Sequence, residues 1–112
     1  MISRNYKTEP LKDNPHGVEV RKMYDDASAQ IMHMTLNPGQ SLKPHKTPVD
    51  VTFYVIEGTP TVLVGEETQQ FEAGTLIESP AFVVHSLSNE SNEIARILVI
   101  KAPRPVAATR VL

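Results

Sequence analysis

"LKPHKTPVDVTFYVIEG", residues 42–58, places a histidine after a proline turn, then a run of β-forming residues, then a glycine. Val51, Phe53 and Val55 alternate with Thr52, Tyr54 and Ile56, and a period of two is what a strand with unlike faces requires. Counted in even steps from His45, Thr47 and Val51 fall on the same face as the imidazole if the strand stays regular. Tyr54 and Ile56 fall on the other face, and apolar residues facing outward suggest a second layer or a dimer contact. The run therefore predicts one strand with a single histidine aimed into an apolar interior and no acid inside the strand body before Glu57.

Similar runs recur on both sides. Upstream, "VEVRKMY" has weak alternation, and "AQIMHMTL" sets Met32, Met34 and Leu36 against Ile31, His33 and Thr35, a strand with both faces partly covered. Downstream come "TPTVLVG", "TQQFEAG", "TLIESP", "FVVHSLSN" and "IARILVIKAP", short runs at the spacing of a sandwich or barrel. Gly58, Gly65, Gly74, Pro60 and Pro80 punctuate them. Ile94, Ile97, Leu98 and Lys101 also fit a helix face, but β-branched residues dominate and "APRP" ends the run, so a strand is expected there. An all-β chain of short strands protects its edges by rolling into a barrel, and a barrel encloses a cavity.

The 112 residues suffice for one domain with one core. The expected boundaries are an extended arm over 1–17, a barrel over 18–104 and a tail over 105–112. With Pro10, Pro15 and Gly17 among charges, the arm reads as unpacked. The absence of cysteine excludes a disulfide framework, a zinc ribbon and a thiol nucleophile. A net charge of -2 gives no reason to expect nucleic acid. No apolar leader or membrane-length run is present, so a cytoplasmic protein without a membrane partner is expected.

Two spaced motifs frame the histidines: Gly39, His45, Thr47, Val51 and Gly58, then Gly74, Pro80, Phe82, His85 and Asn89. Together they resemble the signature motifs of the cupin family, over roughly residues 30–100. The second motif matches at Gly74, Pro80, His85 and Asn89 and departs where Phe82 replaces a glycine. The first keeps Gly39, His45 and Gly58, but Thr47 stands for a histidine and Val51 for a glutamate. The resemblance implies a double-stranded β-helix, a jelly-roll β-barrel, and a homodimer. It also implies a divalent metal (Zn, Mn, Fe, Ni or Cu) held by His45 and His85.

Ligand counting opposes that last implication, because a stable site normally needs three or four protein ligands. Thr47 is a poor donor and Val51 is none. Three substitutes come into question. Asp50 has the wrong parity unless a bulge near Pro48 shifts the strand. Glu78 is near in sequence with its face undecided. Met34, beside Met32, would suit copper, or is core packing. Glu57 has the right parity but lies roughly 20 Å along the strand. The alternative is a metal-free pair of hydrogen-bonded imidazoles.

The expected pocket is lined by Met32, Met34, Leu36 and Thr47, with Val51, Phe53, Val55 and Leu87, and takes a small polar molecule. Three functions remain open: metal and small-molecule binding, an oxygenase or isomerase, and a non-catalytic binding or sensor barrel. An oxygenase needs a carboxylate beside both imidazoles; a metal-free isomerase needs one imidazole as base. His33 is expected to be exposed or at an interface. His16, in the arm, touches a partner subunit or nothing. Asn89 is expected to form a turn.

Overall fold

A computed structural model of the chain describes residues 1–106 and the backbone of residues 110 and 111. Each alternating run becomes a strand: β1 (Glu19–Asp26), β2 (Ala29–Leu36), β4 (Val51–Glu57), β5 (Thr61–Val64), β6 (Glu67–Gln70), β7 (Leu76–Ser79), β8 (His85–Ser88) and β9 (Ala95–Lys101). Two further strands are short, β3 (His45–Lys46) and β10 (Arg110–Val111). The described residues form no helix.

The described strand pairings are all antiparallel, in two five-stranded sheets ordered β1-β2-β9-β4-β7 and β10-β3-β8-β5-β6. This is the jelly-roll barrel. The inward residues of the first sheet, Met34, Leu36, Phe53 and Ile97, are buried in one cluster with Val62 and Leu87 from the second sheet and Leu42 from the loop before β3. The parity read for β4 holds: Val51, Phe53 and Val55 are buried, while Tyr54 and Ile56 are exposed.

The turns are set by local chemistry. Gly58 has φ 80°, in the left-handed region that favours glycine, and a Cβ there would collide with the Ile94 carbonyl oxygen. Phe82 takes φ 64° without being glycine, while its N–H donates to the Thr47 carbonyl at 2.9 Å. The aromatic ring is 67% exposed, so the strain is not offset by burial. Asn89 is a turn organiser as expected, though a buried one: its amide donates to the carbonyls of Leu36 (2.9 Å) and Glu93 (2.6 Å).

The arm departs from its expected unpacked state. Leu11 bridges to Arg21, and the Lys12 N–H donates to the Val20 carbonyl at 2.7 Å. Tyr6 lies flat on His33, ring centroids 4.1 Å apart at an angle of 4°. The Arg21 and Arg96 guanidiniums stand 5.9 and 5.1 Å from the Tyr6 ring centre, within cation–π range. His33 is therefore buried, at 4% exposure, and not a surface histidine. The reason is non-local: its face of β2 is covered by an arm whose packing leaves no mark in local periodicity. In the tail, Arg110–Val111 pairs with Lys46 and His45 along β3; the rest of 107–112 lies outside the described residues.

Candidate functional site

β3 and β8 pair so that His45 lies directly opposite His85. Their rings meet edge to face, with centroids 4.5 Å apart, and Phe53 from the facing sheet packs edge-on against His85 at 5.2 Å. Both imidazoles open onto a cavity of about 230 Å³ between the sheets. Met32, Met34, Phe53 and Val99 line one side and Leu42 lies on the other. The arm contributes Lys12, Asp13, Asn14, Pro15 and His16 to the lining, and Gln30 and Lys101 also line it.

The two backbone polar groups of Lys43 set two of the rings. The Lys43 carbonyl lies 2.7 Å from His45 Nδ1; since a carbonyl only accepts, Nδ1 carries the proton and Nε2 of the neutral ring is a bare acceptor. The Lys43 N–H donates to His16 Nδ1 at 3.0 Å, which puts the proton of that neutral ring on Nε2. His16, expected to touch a partner subunit or nothing, stands beside His45 with centroids 5.1 Å apart. His85 differs again: Ser79 Oγ lies 2.7 Å from Nδ1 and Thr47 Oγ1 lies 3.3 Å from Nε2. Hydroxyls both donate and accept, so His85 is satisfied in either tautomer.

Burial keeps these rings neutral. It pushes His85 down to about 4, helped by the charges of His45 and Lys101. Burial also lowers His45, with Lys101 adding to the effect against the Lys43 hydrogen bond, and lowers His16, with His45, Lys43 and Lys101 adding to it. Lys101 itself is pushed down by burial and then by Lys12.

The candidate ligands separate. Asp50 is exposed and accepts the Ala81 N–H at 2.9 Å. Glu78 is exposed on β7, across from Thr52, and lines shallow depressions away from the histidines. Met34 does line the cavity. Glu57 pairs with Arg96 at 2.6 Å, on the other side of the sheet. Among the described residues no three His, Cys, Asp or Glu side chains come together to hold a metal, and residues 107–112 contain none of these types. The donor set therefore does not fit a resident divalent metal: one bare imidazole nitrogen faces a second that is already hydrogen-bonded.

Of the expected pocket residues, Met32, Met34 and Phe53 line the cavity. Thr47 reaches it through His85. Leu36, Val51, Val55 and Leu87 are buried deeper, off the cavity wall. Ser79 and Lys101 escaped the reading of the sequence; the place of Ser79 is set by strand pairing, whereas Lys101 was traceable by its spacing. Ser79 lies opposite Val51 in the register, and Lys101 follows Ala95, Ile97 and Val99 in even steps along β9.

Comparisons with known proteins agree with this architecture. A protein from Thermus thermophilus of known structure is 31% identical, with a TM-score of 0.80 over 94% of this chain and all of that one. An RmlC-like cupin with a double-stranded β-helix fold from Methanocaldococcus jannaschii superposes with a TM-score of 0.75 at 24% identity, over 94% of each chain. The polyketide cyclase RemF of Streptomyces resistomycificus has the same fold (TM-score 0.84) at 18% identity, over 100% of this chain and 86% of its own. An uncharacterised protein of Streptomyces coelicolor is 35% identical over 63 residues, 56% of this chain, and the match spans 57% of that relative's length. The cupin-domain family model matches residues 32–101. With both histidines inside that span on paired strands of a double-stranded β-helix, the chain belongs to the cupin family.

Proposed function

We propose that this cupin barrel binds a small polar molecule directly through its side chains, with His45 Nε2 as the main acceptor and no resident metal. The observation that carries the reading is the Lys43 carbonyl 2.7 Å from His45 Nδ1. It holds the ring in the tautomer whose other nitrogen is a free acceptor, at the edge of a cavity with apolar walls. A ligand hydroxyl or amide N–H would donate to it. His85, held by Ser79 and Thr47, supplies the rigid wall against which His45 is set.

The same arrangement supports one reaction class, removal of a proton from the bound molecule by neutral His45. It offers no carboxylate for a facial triad, since Asp50 and Glu78 are both turned to the outside. The homodimer implied by the family resemblance belongs to this proposal, with exposed Tyr54, Ile56 and Leu76 as the apolar surface it would bury; a monomer mass in light scattering removes it.

The test combines elemental analysis of untagged protein with thermal unfolding in chelator and in added Zn, Mn, Fe, Ni or Cu. The expected result is a trace metal content and an unchanged midpoint. Occupancy by one element near equal stoichiometry, lost in His45→Ala, would overturn the metal-free reading.

A further inference from the structure

The arm and strand β3 bring two imidazoles to the cavity with opposite chemistry. The Lys43 carbonyl fixes the proton of His45 on Nδ1 and leaves Nε2 an acceptor; the Lys43 N–H donates to Nδ1 of His16 and leaves its Nε2–H a donor. Burial is the largest influence keeping both rings neutral. Both Nδ1 atoms turn toward the backbone of exposed Lys43, so both Nε2 atoms turn away from it, toward the cavity their rings line. Among the described residues neither Nε2 has a hydrogen-bond partner, and neither is sealed in: the buried side-chain polar atom without a partner is His33 Nδ1, under Tyr6. The two rings stand 5.1 Å apart, tilted by 42°. One acceptor and one donor therefore open side by side onto the same space. His85 does not compete for a ligand there, since Ser79 and Thr47 hold its two nitrogens.

That pairing selects by chemistry. A carboxylate offers acceptors alone, which the bare nitrogen of His45 repels, and an ammonium offers donors alone, which leaves the His16 N–H unpaired. A group with an acceptor and a donor on one edge, such as a primary amide or a hydroxy ketone, satisfies both rings at once. An engineered apolar cavity of about 150 Å³ holds benzene, so about 230 Å³ takes a six-membered ring carrying such a group. Met32, Met34, Phe53 and Val99 supply the apolar walls for that ring.

Building on the binding reading above, we infer that the ligand is a small uncharged molecule with an apolar body and, on one edge, a carbonyl acceptor beside an N–H or O–H donor. The acceptor takes the His16 Nε2–H, and the donor meets His45 Nε2. Because His16 belongs to the arm, the arm completes the binding site.

Benzamide carries both groups, and its neutral isostere acetophenone keeps the carbonyl and loses the donor. Both are titrated into the full chain at neutral pH and followed by calorimetry and by the ring nitrogen signals of His16 and His45. Benzamide is expected to bind about fivefold more tightly or better, the worth of one neutral hydrogen bond. In His16→Phe, which keeps a ring at a partly exposed position, both compounds are expected to weaken by about fivefold while the ratio between them stays. Undiminished binding of both in that variant, or a His16 Nε2 signal that acetophenone does not move, overturns the role of His16 and leaves the His45 acceptor in place. Equal binding of the two compounds to the unaltered chain, or a His45 Nε2 signal that benzamide does not move, overturns both readings.

Discussion

His85 combines 1% exposure with two hydroxyl partners. Burial is the larger influence on its charge, and it pushes the ring down to about 4 from the ordinary histidine value. Above pH 6.5 the imidazole is neutral in both folded and unfolded chains and costs nothing. As pH falls from about 6.5 to about 4 the unfolded ring takes up a proton and the folded ring does not, so stability falls through that window and then levels off. The full loss is roughly 3 kcal/mol from this residue; His16, His33 and His45, also lowered, act in the same direction. Urea unfolding at several pH values is expected to give a slope across the window that flattens in His85→Gln. An unchanged slope in that variant would mean His85 is not the buried neutral ring described here.

Among the elements, the turn after β4 tests whether glycine is there for its φ alone. Gly58 and Gly74 both have positive φ, 80° and 91°. Only at Gly58 would a Cβ meet backbone, the Ile94 carbonyl oxygen and, at 2.8 Å, the Ala95 Cα; at Gly74 nothing lies within 4 Å. Gly74→Ala is expected to cost about 1–2 kcal/mol, the left-handed penalty. Gly58→Ala adds a clash that β9 relieves only by moving, and is expected to cost above about 3 kcal/mol. Equal losses in thermal or denaturant unfolding would contradict the close approach of this turn to the start of β9.

On the scale of the whole molecule, the arm is part of the barrel. Residues 12–16 form one wall of the cavity, and Tyr6 covers His33 on the opposite side of the first sheet. His33 is held down first by burial and then by the charges of Arg96 and Arg21, and its Nδ1 is buried without a hydrogen-bond partner among the described residues. Tyr6→Ala removes the ring that excludes water from it. The His33 titration midpoint, followed by its ring proton signals, is expected to move up toward the ordinary value near 6.5, since solvent then stabilises the imidazolium. A midpoint that stays in place would show that the two arginines, not the arm, set it.

Local alternation was enough to read an all-β chain rolled into a barrel or sandwich, and the family resemblance carried by the spacing of Gly74, Pro80, His85 and Asn89 implied that His45 and His85 meet inside it. The period of two is imposed by the pleat, and turn residues must recur where strands end. The same parity put Thr47 and Val51 on the inner face, at positions where the resemblance implies metal donors. Tertiary structure decided the rest. Whether Glu78 and Asp50 look in or out depends on pairing with β4 and on the loop around Ala81. The tautomers of His16 and His45 depend on the N–H and the carbonyl of Lys43, which belong to successive peptide units. Lys101 has the same even spacing as Val99, yet only the fold brings Lys12, nearly the whole chain away, to the same cavity. Contacts between distant segments leave no periodicity for a sequence to display, and here they decide which residues line the cavity.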